Sequence, residues 1–475
     1  MDQWVKDWLD EQRQSGTKCL EIKYIQGKPY VYHSTSKYDK EKKGPKKVSE
    51  YLGRLNEEHG FIPKNQPTPK ASNLKVRSVH EYGNTILLNE EFSEILPLIQ
   101  EYFPNCWHEI VAMVFTRIDG YTPLKRIKDK WDKLYSPKEI APNCDPKVLS
   151  EALKSIGSDP AAQHKFFSHL AKSEHQLIYD LSYVFSESQN LHIAEYGFNR
   201  KKSDLPQVNI ALFSSVESGL PVMIRGMPGT IKDVSTLETS FDEIDLRDKL
   251  LIMDRGFISE ALLPVFNERN IEYIQPLRRN STYYSERIHL TKHLHYHGRL
   301  VHCGRRSVDG TWVYAFKDTD LALEEEKSLY RQLDKGTINR EELRERLKKA
   351  GMMLILSNHN TEPEKIYELY KSREGVEKHF ETFKSELGAD KMYLRDADSV
   401  FGHFFVAFLS LYLYCRLIQR LKKADLNKKY SPKDVLLKLS KVFMINYDTR
   451  SIMTEVPKQV KNLAGKLDLE IIPKL

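Results

Sequence analysis

Thr361 to Gly388 reads TEPEKIYELYKSREGVEKHFETFKSELG, and this stretch decides how the rest of the chain is laid out. It predicts one long helix. Thr361 followed by Glu364 fits a capping box, Pro363 stands where a first turn tolerates a missing N–H, and Gly388 suits a helix stop. At about 100° per residue, Leu369, Val376, Phe380, Phe383 and Leu387 form an apolar stripe that would pack on a core. Beside it, Arg373, Glu377 and Lys384 fall within roughly 60° of one another, next to Tyr370. That row of hydroxyl, guanidinium, carboxylate and ammonium has two readings. Opposite charges at such spacings support many solvated helix edges, and Glu374 and Glu381 share this edge, so geometry does not single out Glu377. Alternatively, the carboxylate holds a divalent cation while Arg, Lys and Tyr grip phosphates beside it.

The helix is fed by a buried strand, MMLILSN (Met352–Asn358). Upstream, from His175, the texture is that of an α/β fold. QLIYDLSYV, LPQVNIALFSS and LPVMIRGM read as a three-strand meander with a turn at Glu217 to Gly219. A helix from Asp233, the strand KLLIMD, the helix SEALLPVFNERN and the strand EYIQPL then alternate, which predicts one central sheet covered by helices. Arg278 to Lys349 interrupts this progression with basic strand-like pieces (YYSERIHL, HYHGRLVHCG, GTWVYAFK) and a charged helix, so it reads as an insertion.

Two aspartates stand out in the sheet. Asp254 ends LLIMDRGF, where four apolar residues deliver it to the sheet edge and Gly256 permits a turn straight after it. A helix cap or turn aspartate is the plain alternative. Asp180 interrupts a strand that otherwise wants to be buried, a position that is costly unless the carboxylate is hydrogen-bonded, paired or bound to metal. Asp204 and Asp233 are rivals, each explained by a turn or cap.

Tyr370, Arg373, Glu377 and Lys384 match the Tyr-x2-Arg-x3-Glu-x6-Lys signature, and the chain resembles DDE transposases of prokaryotic insertion sequences of the IS-four type. Asp-Arg-Gly-Phe after a buried strand looks like that family's second acidic motif, and the strand holding Asp180 like its first. The resemblance spans roughly Asp180 to Leu417. It implies a ribonuclease H-like catalytic core with a strand-rich insertion, here preceded by a mixed hairpin and helical N-terminal region. It further implies that Asp180, Asp254 and Glu377 are catalytic and bind Mg²⁺ (or Mn²⁺), two ions activating the attacking oxygen and stabilising the leaving one. Tyr370, Arg373 and Lys384 would hold phosphates near the cut, and Trp312, in GTWVYAF, would stack on a displaced base unless it is a strand-core residue. The partners implied are double-stranded DNA, at element ends and target, and a second copy of the chain. A catalytically silent DNA-binding protein derived from such an element, or a metal-dependent nuclease without strand transfer, are the alternatives.

The 475 residues suffice for two to four domains. A formal net charge of +7 permits a polyanionic partner. Five scattered cysteines, Cys19, Cys106, Cys144, Cys303 and Cys415, suggest neither a zinc finger nor a disulfide framework, so a reducing cytoplasm is expected. The charged N-terminus lacks the apolar core of a signal peptide. VFGHFFVAFLSLYLYCRLI (Val400–Ile418) is interrupted by Gly402, His403, Ser410 and Arg416, and predicts a buried core helix rather than a membrane span. His293, His295 and His297 alternate near His302 and Cys303, a weak zinc pattern that also suits an exposed basic strand. These readings divide the chain into six parts. Residues 1–62 are a hairpin region, with a Lys-rich loop at Lys40–Lys47 as a candidate DNA arm, and residues 63–174 a helical region expected to bind DNA. Residues 175–277 are the first part of the core, 278–350 the insertion, 351–425 the second part of the core, and 426–475 a basic tail.

Overall fold

The computed structural model describes residues 1–471 apart from 40–43, 58–59, 65–74, 137–138, 187, 189, 198–204, 232–236, 238–242, 258–261 and 391–392. Asp204, Asp233 and the first half of the Lys-rich loop lie outside the described residues. The chain divides into two compact units, Met1–Ser78 with Asn446–Ser451 and Val79–Ile445 with Ile452–Leu475.

In the first unit, β1 (Leu20–Ile25) and β2 (Lys28–Asp39) form the hairpin expected around Gly27. Gln26 and Gly27 both adopt positive φ (51° and 76°), the mirror-image turn whose twist matches the flanking strands. β3 (Gly44–Asn56) and β4 (Gly60–Pro63) complete an antiparallel sheet in sequence order. Its small core is Val5, Val31 and Leu55, with Trp8 stacked on Phe61 at 5.5 Å. A further strand, β5 (Val76–Glu81), follows.

The second unit is built on a nine-stranded sheet. β6 (Gln176–Phe185), β7 (Gln207–Ser215) and β8 (Pro221–Pro228) are the expected meander. β9 (Leu250–Met253) runs parallel to β6, and β10 (Glu272–Pro276) parallel to β9. β14 (Met352–Ser357) lies antiparallel to β10 and is followed outward by β13 (Thr311–Asp318), β12 (Arg299–Val308) and β11 (Lys292–Tyr296), giving the order β11-β12-β13-β14-β10-β9-β6-β7-β8. The segment read as an insertion therefore extends the central sheet along one edge, through the pairing of β13 with β14. Of its three strand-like pieces, YYSERIHL forms no strand; it begins with a short 3-10 turn at Thr282–Ser285.

Among the described residues, six helices lie between Gly83 and Ala171. Phe103, Phe166 and Phe167 surround Phe405 at ring separations of 4.8–5.7 Å, so these helices share one core with the Ala397–Lys423 helix. That helix is long and apolar enough to cross a membrane by composition, yet most of its apolar window is buried within the protein, as expected of a core helix. It crosses the Pro146–Gly157 helix at very close range. A side chain at Gly402 would strike the Leu153 carbonyl, and one at Gly157 the Asp398 carbonyl. Backbone cannot yield as a side chain can. Gly402→Ala should cost on the order of 1–3 kcal/mol, read as a lower denaturant midpoint with an unchanged slope.

Candidate active site

The register of β6 against β9 builds half of the site. Tyr179 pairs with Met253, so the next residues, Asp180 within β6 and Asp254 just past the end of β9, are set side by side. All four residues of β9 are buried, and a 3-10 turn, Arg255–Phe257, follows directly. Phe257 donates its N–H to the Asp254 carbonyl at 3.2 Å and sets its ring against Tyr179 at 4.9 Å, which fixes where the strand stops.

The other half comes from Thr361–Gly388, which is not one continuous helix. Pro363–Lys371 is α-helical; Arg373 N–H then bonds Tyr370 and Val376 N–H bonds Arg373, three residues back in each case. The α-helix resumes over Glu374–Glu381 and widens into a π turn at Thr382–Glu386, where Leu387 N–H reaches Thr382, five residues back. Gly388 ends the segment in the left-handed region at φ 56°, as expected. The capping box does not form. The N-cap is Glu362, because Thr361 is tied to the sheet: its N–H donates to Tyr314 Oη at 3.1 Å and its carbonyl accepts from Arg305 at 2.7 Å.

Arg373 is where the two halves meet. Its Nη1 lies 3.6 Å from Asp180 Oδ2 and 3.9 Å from Asp254 Oδ2, and its Nη2 lies 3.0 Å from Glu377 Oε1. One guanidinium thus binds all three predicted carboxylates. Side-chain exposure grades from 16 % at Asp180 through 24 % at Asp254 to 54 % at Glu377, so an incoming ligand meets Glu377 first. Burial pushes the Asp180 carboxyl up to about 6, opposed by Arg373 and by the Leu181 N–H, and aided by Asp254 and Glu377. Burial also works against the Arg373 charge, but Asp254, Tyr370, Asp180 and Glu377 together hold its pKa above the ordinary value. The Tyr370 ring lies 5.9 Å from the guanidinium, and burial raises its hydroxyl pKa.

Lys384 sits to one side. Its Nζ donates to Ser182 Oγ at 2.7 Å and lies 4.8 Å from the Tyr183 ring centre. Sequence reasoning missed Ser182, although it follows Asp180 by two and so shares its face of β6. It also missed His379. This buried residue (8 % exposed) bonds Ser214 on β7 at 2.8 Å and thereby pins the Glu377-bearing helix to the sheet. Burial lowers the His379 pKa to about 4, below the ordinary 6.5. The unfolded chain therefore binds the extra proton between these values, and stability should be full above pH 6.5 and fall progressively towards pH 4. The loss amounts to roughly 3 kcal/mol at about 1.4 kcal/mol per unit. Denaturant unfolding at pH 7 and at pH 4.5 tests this, and His379→Gln should flatten the difference.

Trp312 is not brought to the acids. It lies on β13, four strands along the sheet from β6, with the Arg305 guanidinium 4.7 Å from its ring centre. His293 and His295 lie on exposed β11, with His293 opposite His302, while His297 forms the turn at φ 48°. Among the described residues no group of three His, Cys, Asp or Glu side chains is placed as a ready metal cage, these histidines included. For Asp180, Asp254 and Glu377 the reason is visible, since Arg373 occupies the centre. The donor set itself, three carboxylates, is the hard-oxygen chemistry that Mg²⁺ and Mn²⁺ prefer.

Residues 176–413, half of the chain, match the model of the family described as the transposase DDE domain, and the chain belongs to that family. Among solved structures it is similar to one described as a piggyBac transposase synaptic complex with hairpin DNA, at a TM-score of 0.43 and 10% identity, over 76% of this chain and 79% of that one. No curated protein matches it.

Proposed function

We propose that this transposase serves a prokaryotic insertion sequence of the IS-four type, cutting the element's ends and joining them to target DNA. The observation that carries the reading is the convergence of Asp180, Asp254 and Glu377 on Arg373 from two parallel strands and one helix. An antiparallel meander followed by two parallel strands supports a ribonuclease H-like core. Mg²⁺ or Mn²⁺ held by the three carboxylates would supply Lewis-acid activation of the attacking oxygen and stabilise the leaving one. The chain's own residues do the rest. Arg373 and Lys384 supply cations for the phosphates flanking the cut, Lys384 held in place by Ser182. The Tyr370 hydroxyl stays protonated, and so can donate, well above neutral pH. Trp312 would meet DNA only at a distance from the cut. The chain acts on double-stranded DNA in the cytoplasm as a homo-oligomer, most simply a dimer with one copy at each end.

The test uses labelled double-stranded DNA carrying the sequences that flank the gene, with Mg²⁺. Both nicked ends and joined products are expected. Nicks without joined products would leave a nuclease. Binding without nicks, in Mn²⁺ as well, would leave a silent DNA-binding protein.

A further inference from the structure

The Trp107–Arg117 helix ends on a guanidinium that is buried without an acid. Arg117 is 7 % exposed, its Nη2 donates to His403 Nδ1 at 3.3 Å, and its Nη1 has no hydrogen-bond partner. Among the described residues no carboxylate pairs with it; the one neighbour that raises its pKa is Tyr121, whose ring centre lies 5.8 Å away. His403 offers no compensating charge. A carbonyl can only accept, so His403 Nε2 donates to Ala389 O at 3.1 Å, which leaves Nδ1 as a lone pair and the ring neutral. Isolated charges of this kind are rarely buried unless something pairs with them.

Arg117 lines a cavity of about 530 Å³, within the ordinary range for small-molecule sites. Among the described residues its wall carries a second cation, Lys125, and no carboxylate, and no residue of the acidic cluster lines it. Leu124 and Leu394 give it apolar sides. Tyr121 and Tyr393 stand in the same wall with ring centres 6.1 Å apart, and Tyr393 is 80 % exposed although nothing in a core requires an aromatic ring there. Two cations select an anion, and the arginine fork fits phosphate. Two tyrosine rings beside apolar walls select a flat body attached to that anion.

We propose that this cavity is a second ligand site, separate from the acidic cluster, that binds an aromatic organic phosphate of the mononucleotide class. The phosphate pairs with Arg117 and Lys125 while the base stacks at Tyr121 and Tyr393. Such a ligand has two sources, a free mononucleotide or an unpaired nucleotide of a strand, and the chemistry is common to both.

Thermal unfolding and calorimetric titration of the full chain test it, with deoxyadenosine monophosphate, deoxyadenosine, inorganic phosphate, octanoate and a single-stranded tetranucleotide as probes. Saturable binding of the monophosphate is expected, with a raised midpoint, and with deoxyadenosine and inorganic phosphate each weaker. Arg117→Met should abolish the shift while raising the midpoint of the ligand-free protein, since it removes an unpaired buried charge. Tyr393→Ala, at an exposed position, should weaken binding by about tenfold, the usual worth of one stacked base. Glu377→Gln should bind like wild type, so that a failed active-site assignment and a failed cavity assignment give different results. A monophosphate as tight as the tetranucleotide identifies the free source, and binding of the tetranucleotide alone identifies the strand. No saturable binding of either, binding that survives Arg117→Met, or octanoate tighter than the monophosphate would overturn the proposal.

Discussion

Asp254→Ala is expected to lower Mg²⁺-dependent cleavage of cognate DNA ends by about 10³-fold or more, with DNA affinity and thermal midpoint near wild type. A metal at a reacting phosphate contributes several kcal/mol to the transition state, and each 1.4 kcal/mol is about tenfold in rate. Stability should hold because Arg373 keeps Asp180 and Glu377 as partners, Leu250–Met253 is buried throughout and Phe257 fixes the following turn from the backbone. Asp180→Asn and Glu377→Gln should lose cleavage to a similar degree but differ in stability. Asp180 is charged at neutral pH against the cost of its burial, so Asn there is close to neutral or stabilising, whereas half-exposed Glu377 gives little change either way. Retention of cleavage within about tenfold by Asp254→Ala would remove it from the reacting centre. Loss of DNA binding together with cleavage would make its role structural.

How far this site could be read from the sequence depends on the range of the interactions that build it. The strand containing Asp180 and the strand ending at Asp254 were legible because apolar runs with a terminal or interrupting acid are local patterns. That β6 and β9 set these two residues side by side was not, since register is a non-local pairing of residues more than seventy positions apart. The Thr361–Gly388 segment failed in an instructive way. A uniform 100° advance gave its apolar face correctly, with Leu369, Val376, Phe380, Phe383 and Leu387 all buried. It missed the tightened link at Arg373 and the π turn near Lys384, neither of which departs from helical spacing in the sequence itself. The strands at the edge of the sheet were likewise readable as pieces, but nothing local said that β13 pairs with β14. Arg373 could be read only as a helix-edge ion pair or a phosphate ligand, because both aspartates that surround it come from distant sequence.

That position of Arg373 leads to the second large effect. Arg373→Met should destabilise the metal-free protein by roughly 3–5 kcal/mol, the usual cost of removing one partner from a buried ion pair. In the wild type, one positive charge is shared among three carboxylates, of which Asp180 and Asp254 are mostly buried. Without it these charges repel one another in a poorly solvated place, and methionine, which fills the volume, cannot relieve them. A divalent cation can. It brings two positive charges to the same oxygens, so much of the lost stability should return in millimolar Mg²⁺ and disappear again with a chelator. In the wild type the same ion must first displace the guanidinium from Asp180, Asp254 and Glu377, so Mg²⁺ should bind more weakly to it and raise its midpoint less; binding at a hundred times Kd is worth about 2.7 kcal/mol. Thermal midpoints of both proteins across a Mg²⁺ titration, without DNA, measure the difference directly. On the proposed function, cleavage by Arg373→Met should nevertheless stay low, because that reading assigns the same guanidinium to the phosphate once a metal takes its place among the carboxylates. Equal midpoints without metal and equal responses to Mg²⁺ would show that the guanidinium neither neutralises the acids nor competes for them, and would leave its contacts with all three as ordinary surface pairing.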